Sequence, residues 1–521
     1  MASPERATRA RRRVWRLPLA ASVAAALGAC AVGPDFHEPQ VPVPADFRAA
    51  QAPAGAAAQA KAVQIESWWR ALGDPQLDSL VDRALRDNLE LDIALQRLQQ
   101  ARALEVVATG TALPRIGAAS GGAHGTGSDL SRGRMPSDLG SADHTTSSAS
   151  RITQVSGFDV AWDLDIFGRL RRQMEAARYD AQAAAAARDA VQVAVIADVV
   201  RGYVDLRGAQ MQLAVLRQDV ETAQRLLLLV QARYERGITN ELDLTLARRQ
   251  LASVQSQVPP LQSHIEALRY GLAVLLGRQS RELDDELSAP APIPPVPAAI
   301  APGLPLDLLR RRPDVREAEW EVAGDTARIG VATANLFPQL AINAGVGTQR
   351  EATLGHPSSH QSIWSAGYVA YFPLLDFGVL DGLVDVADLR AREDLARYRL
   401  TVLHAVQEVD AAISAFEAEQ ATLLDLQEAL VASQRAVELA SQRYERGLTD
   451  FLNVVDAQRR EYELEGQFIQ AQGSVADQFV GVYRALGGGW EQYAGPPEIR
   501  APQPALVAMF RRLVHPNEIG Q

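Results

Sequence analysis

Arg233-Tyr234-Glu235-Arg236-Gly237-Ile238-Thr239 recurs as Arg443-Tyr444-Glu445-Arg446-Gly447-Leu448-Thr449, an offset of 210 residues. At the same offset Phe167-Gly168 meets Phe377-Gly378. The ladder Leu213, Leu216, Val220, Ala223, Leu227, Val230, Tyr234 meets Leu423, Leu426, Leu430, Ser433, Val437, Ala440, Tyr444. Steps of three and four residues, sustained this long, describe helices packed side by side in coiled-coil fashion. The chain is internally duplicated. Leu113-Pro114 also pairs with Phe337-Pro338, but at an offset of 224, so 14 residues separate the two offsets. A longer loop after the first strand accounts for them most simply. Each half then reads helix, strand, loop, strand, long helix, hairpin, long helix.

Around this core the organisation follows composition. Residues 1–29 form a signal segment, 30–73 an extended Pro/Ala-rich lead-in, 74–289 the first repeat, 290–305 a Pro-rich linker, 306–490 the second repeat and 491–521 a C-terminal tail. Helix is expected from about Asp74, with Pro75 just inside it, to Thr111, and again over 306–335. The long helical stretches are 168–276, broken once at Pro259-Pro260, and 379–486. From Gly168 to Gly237 is about 70 residues, roughly 100 Å of helix, which projects beyond any compact domain of this size.

The strands carry a weaker signal. Ile152, Gln154, Ser156, Phe158, Val160, Trp162 and Leu164 alternate with smaller or polar residues, as do Leu340, Ile342, Ala344 and Val346. A barrel strand between lipid and lumen needs one apolar face and one polar or tiny face; a half-buried soluble sheet gives the same pattern. Four strands cannot close a barrel, and open edges do not survive in lipid. Membrane strands here would have to be pooled from several chains.

The net charge is −11 with one Cys. An acidic balance argues against nucleic-acid binding, and one Cys forms no internal disulfide. Basic residues Arg9 to Arg16 precede an apolar run from Leu17 to Leu27, a secretory signal too short to span a bilayer. It ends in Leu27-Gly28-Ala29-Cys30, which resembles a bacterial lipobox whose Cys is acylated and becomes the first mature residue. Loss of residues 1–29 removes six Arg and one Glu and leaves a mature charge of −16. Ala31 follows Cys30 where an Asp would favour inner-membrane retention, so an outer-membrane lipid anchor is expected. No catalytic, cofactor or metal constellation stands out. His356 and His360 are four apart but fall in a Pro/Ser-rich loop, and Gly487-Gly488-Gly489 follows a helix as a terminator.

Taken together, several segments resemble the outer membrane factor family, the TolC-like channels, and within it the NodT/OprM-like lipoproteins of resistance-nodulation-division efflux systems. They are Cys30 to Phe36, Trp68-Trp69 with Asp74-Pro75-Gln76-Leu77, Arg311-Arg312-Pro313-Asp314-Val315-Arg316 with Ala318-Glu319, both Phe-Gly turns, both Arg-Tyr-Glu-Arg-Gly hairpins and Ala485 to Trp490. The resemblance implies an α+β membrane channel. Its duplicated long helical hairpins would form a coiled-coil-like periplasmic tunnel, and four strands per chain would be pooled into a twelve-stranded barrel in a homotrimer. It also implies a passive exit duct for small molecules, served by a periplasmic adaptor and a proton-driven inner-membrane pump. A related duct for protein secretion is the alternative.

Gly237 and Gly447 suit the left-handed residue that ends a helix, and Asn240 and Asp450 can cap the helices that follow. The hairpin tips, Arg236, Gly237, Thr239, Arg446, Gly447 and Thr449, are the surface an adaptor would grip. By position in the family, Leu452 would form an apolar ring and Asp456 an acidic ring at a closed periplasmic end. Four apart, they share a helix face. Asn453 stands where some relatives have a second Asp, and Asp243, its counterpart in the first hairpin, is a possible replacement.

Overall fold

The structure, a computed structural model, describes residues 31–42, 63–126, 150–298, 310–353 and 357–491. A 3-10 helix (Ile65–Leu72) leads to helices α1 (Pro75–Asp87) and α2 (Leu89–Thr111) and strands β1 (Arg115–Thr126) and β2 (Ser150–Asp163). The long helix α3 (Arg169–Glu235) follows, then α4 (Glu241–Gln255), α5 (Val258–Leu275) and the single turn α6 (Asp284–Leu287). The second half runs α7 (Pro313–Ala334), β3 (Gln339–Thr353), β4 (Ser359–Tyr371), the long α8 (Val379–Glu445) and α9 (Phe451–Ala485).

The duplication holds residue by residue. Helices α3 and α8 are each 67 residues long, about 100 Å, and start and end 210 positions apart. Each begins after a left-handed glycine (Gly168 φ 82°, Gly378 φ 85°) and runs into another (Gly237 and Gly447, both φ 72°). A side chain is strained at such φ values, so glycine ends the helix there. The four strands form one antiparallel sheet in the order β1-β2-β3-β4. Ser120 opposes Ser156, and Ala344 opposes Ala366. These two pairs coincide when β1 moves by 224 and β2 by 210. The change of offset therefore lies in the β1–β2 loop, where the sequence reading put it.

Directly opposed residues of an antiparallel sheet share a face. One face carries the rows Ala118-Phe158-Val346-Trp364 and Trp162-Ile342-Tyr368, and Phe158, Trp364 and Tyr368 are exposed on it. The other carries Gly117-Asp159-Gly345-Ser365 and Gly121-Val155-Gln349-Gln361, mostly small or polar. Among the described residues no helix is long and apolar enough to cross a membrane.

Three local expectations are corrected. The helix expected from Asp74 to Thr111 is two helices. Asn88 (φ −68°, ψ 127°) leaves the helical region, and its side chain accepts from the Glu90 and Leu91 amides, so capping chemistry overrides helical period. Pro259-Pro260 do not themselves form the later break: α4 ends at Gln255, and both prolines sit in the first turn of α5, where no amide is needed. The lead-in is not extended to its end, because residues 65–72 form the 3-10 helix.

That helix anchors a core belt joining the two repeats. Trp68 and Trp69 are buried; Trp68 stacks on Tyr483 at 5.5 Å. A methyl on Gly488 would stand 2.6 Å from the Ile65 carbonyl oxygen, so only glycine lets the chain pass. The Arg312 guanidinium donates to the Ala485 carbonyl and to Glu408, both at 2.8 Å, and Trp490 Nε1 donates to the Arg311 carbonyl at 3.1 Å. Tyr203 Oη donates to Asp74 at 2.6 Å. Charged hydrogen bonds inside a packed belt hold it in one arrangement.

Candidate functional site at the hairpin tips

The two hairpins lie side by side at the end of the stalk farthest from the sheet, and a small apolar core binds them. Val230, Leu244 and Ala247 of the first hairpin pack with Tyr444, Phe451, Val454 and Val455 of the second. The Tyr444 and Phe451 rings lie 5.2 Å apart, and the Arg233 guanidinium sits 4.8 Å over the Tyr444 ring. Phe451 is wholly buried. The sequence reading gave it no role, although its counterpart 210 residues earlier is Glu241, and that contrast was the available signal.

Both tips use the same turn. The Ile238 and Leu448 amides donate to the Arg233 and Arg443 carbonyls, each at 2.9 Å, while Arg236, Gly237, Arg446 and Gly447 are exposed and Thr239 and Thr449 half-buried. The caps differ. Asn240 accepts from the Asp243 amide at 3.0 Å, but Asp450 makes no side-chain cap bond; in its place Asn453 Nδ2 donates to Thr449 Oγ1 at 2.7 Å. Asp243 is held by the hydroxyl of Thr239.

Leu452 is 57% exposed and lies outside the tip core. Leu242, its counterpart in the first hairpin, is 63% exposed. The sequence reading missed Leu242, although the offset of 210 pointed to it. Asp456 is exposed one turn beyond Leu452, and its two oxygens lie 3.4 Å from Arg459 and 3.4 Å from Arg460. Such exposed pairs are each worth about 0–1 kcal/mol, so the carboxylate is screened locally but not locked.

Higher in the stalk, α3 and α9 enclose a group of acids. Asp219 is buried, and its carboxyl is pushed up to about 7, first by burial and then by Glu465 and Glu461. Burial and Glu465 likewise push Glu461 up to about 7. At the opposite end, Ala31 lies against Gly168 where β2 gives way to α3. The Val32 amide donates to the Phe167 carbonyl at 3.1 Å, and Arg172 donates to the Gly33 carbonyl and to Asp35. Cys30 itself and His356 lie outside the described residues. His360 faces Arg350 on the exposed edge strand. Among the described residues no group of acidic, His or Cys side chains is placed to hold a metal.

Known proteins share this stalk of duplicated hairpins joined to a four-stranded sheet. The family described as outer membrane efflux protein matches residues 80–278 and 304–488, one segment per repeat. The chain belongs to that family. It is not a family of enzymes. Among its relatives, the chain is 30% identical to outer membrane protein OprJ of Pseudomonas aeruginosa, over 90% of this chain and 95% of that one. It is 27% identical to nodulation protein T of Rhizobium leguminosarum bv. trifolii, over 90% and 96%. The solved outer-membrane channel OprN superposes with a TM-score of 0.77 at 33% identity, covering 88% of this chain and all of that one. Other relatives are named as outer membrane proteins of toluene and solvent efflux pumps in Pseudomonas putida. Outer membrane and efflux, as read from the motifs, are thus the setting of this family.

Proposed function

We propose that this chain is the outer-membrane exit duct of a tripartite efflux pump, a passive path for small molecules from periplasm to exterior. The observation that carries the reading is the union, in one chain, of two 67-residue helices with a sheet that is apolar on one face, small or polar on the other, and open at both edges. Three copies would pool twelve strands into a closed barrel, the one sheet form that lipid tolerates, above a tunnel formed by the stalks. Trp162 and Tyr368 lie near the strand–helix junction, where barrel aromatics meet the headgroups.

Acylation of Cys30 fits this arrangement, since Ala31 stands at that same junction and an acyl chain one residue earlier would enter the periplasmic leaflet of the outer membrane beside the barrel. The tips at Arg236, Gly237, Thr239, Arg446, Gly447 and Thr449 are the docking surface for a periplasmic adaptor and, through it, a proton-driven inner-membrane pump. Three Leu452 side chains near the axis would exclude water and hydrated solutes, and three Asp456 carboxylates would favour cations; Asn453 and Asp243 flank them. Contact with the adaptor would part the tips. Deletion of the gene tests this: accumulation of dyes and sensitivity to antibiotics and metal salts should rise while protein secretion is unchanged. Lost secretion with unchanged sensitivity would instead mark a secretion duct.

A further inference from the structure

A cleft of about 590 Å³ opens on the stalk where α2, α3 and α7 come together. Met174, Tyr179 and Trp320 give it an apolar wall, with the Tyr179 and Trp320 rings stacked at 5.8 Å. Glu175 in its lining is already paired with Arg172 at 2.8 Å, which leaves Glu105 as the carboxylate that an incoming cation would meet. Gln182 lines the cleft too, and its Oε1 is buried with no hydrogen-bond partner. A buried acceptor left unpaired is costly, so the cleft asks for a ligand with an apolar body and donating groups.

The chain itself carries such a segment beyond residue 488, where the family match ends. Residues 499–517 hold Arg500, Arg511 and Arg512 and no Asp or Glu, in a chain of net charge −11. Between Pro504 and Pro516, Leu506, Met509, Phe510 and Leu513 recur at the spacing of one helix face, with Arg511 and Arg512 off it. Residues 492–521 lie outside the described residues, but the point from which they start is fixed. The Gln192 side-chain amide donates to the Gly489 and Trp490 carbonyls at 3.1 and 3.3 Å. Steps of three and four residues, through Asp189 and Ala185, lead from Gln192 to Gln182 and Arg178 on the same face of α3. The 14 residues from Gln192 back to Arg178 are about 21 Å of helix. The 14 residues from Glu491 to Ala505 form a linker with a root-mean-square reach of about 20 Å. A linker whose reach matches its span gives the highest effective concentration at the far site.

We infer that residues 505–514 dock in this cleft of their own chain. Met509 and Phe510 would lie on Met174, Tyr179 and Trp320, sulfur against ring and ring against ring. Arg511 and Arg512 would donate to the Glu105 carboxylate and to Gln182 Oε1, adding a charge-assisted bond and the partner that the buried oxygen lacks. Phe36 of the lead-in lies 6.1 Å from Tyr179. The docked segment would therefore run beside the lead-in, so that residues from before the first repeat and after the second are tied to the same part of the stalk.

The test is cysteine cross-linking in the full-length chain in membranes with a short bis-maleimide, read as linked peptides by mass spectrometry of the single-chain gel band. Thr109 lines the cleft and is exposed, and Ala508 stands off the apolar spacing of the segment, so neither substitution removes a side chain that the docking uses. Thr109→Cys with Ala508→Cys should link about tenfold more than Gln173→Cys with Ala508→Cys, Gln173 being exposed on another face of α3 near the same height. Added Arg511→Glu and Arg512→Glu should cut the link about fivefold, and Glu105→Arg on top of them should restore part of it. Equal linking of the two cysteine pairs, or a link indifferent to the charge changes, would overturn the docking. Linked peptides confined to a multimer band would overturn it by giving the segment to a neighbouring copy. No link from either pair would overturn it as well, and shielding of Ala508→Cys from a water-soluble maleimide would then give the segment to the lipid surface.

Discussion

The first and second repeats share a backbone plan but not their surroundings. Helix α3 buries about three times as many residues as α8, although the two are of equal length. Phe167 is stacked within the chain while Phe377 lies bare. At the other end the contrast reverses: the buried aromatic pair of the tip core, Tyr444 and Phe451, belongs to the second hairpin. The same unit is thus used twice, one copy packed into the chain's interior and the other left largely exposed.

The largest expected effect separates the tips. Phe451→Ala removes a wholly buried ring and should cost about 3–5 kcal/mol of local stability, seen as early proteolysis or hydrogen exchange at the second hairpin. Glu241→Ala, its exposed counterpart, should stay within about 0.5 kcal/mol. Equal exchange in both variants would mean the tip core is not polarised toward the second hairpin.

A second contrast sits in the stalk, where α3 has Asp219 and α8 has Ala429. With its carboxyl raised to about 7, Asp219 binds its proton more tightly in the folded state than in the unfolded chain. Its contribution is therefore most favourable below about pH 4 and is lost as pH rises through about 7. Asp219→Asn should raise stability at pH 8 by about 1 kcal/mol, allowing for partial solvent screening, and flatten the thermal-melting profile between those pH values. Ala429→Asn should do neither. A last contrast concerns the caps: Asn240→Ala should cost about 1 kcal/mol, and Asp450→Ala less than about 0.5 kcal/mol, read as faster hydrogen exchange at the first tip than at the second.

Much of the architecture was legible because repeats are a long-range signal. The offsets of 210 and 224 located both long helices, both hairpin turns and the change of register between β1 and β2 without any propensity argument. Local breaks were less legible. Asn88 ends a helix through its side chain's hold on two amides, and periodicity does not report that competition. Of the motifs that carried the family resemblance, Trp68, Trp69, Asp74, Arg312, Gly488 and Trp490 all build the belt between repeats. The tips were legible as turns, since glycine at positive φ leaves a plain mark. Ion pairing of Asp456 with Arg459 and Arg460, and the exposure shared by Leu242 and Leu452, were present in spacing but unweighted there.

We propose that the passage closes at the second hairpin of each copy, at Leu452. Single-channel recording from the chain reconstituted in planar bilayers tests it most directly, comparing Leu452→Ala with Leu242→Ala. Leu452→Ala is expected to raise the conductance of the closed form severalfold while Leu242→Ala leaves it near that of the parent chain. Unchanged currents in both variants, or a larger rise from Leu242→Ala, would contradict a gate at the second hairpin.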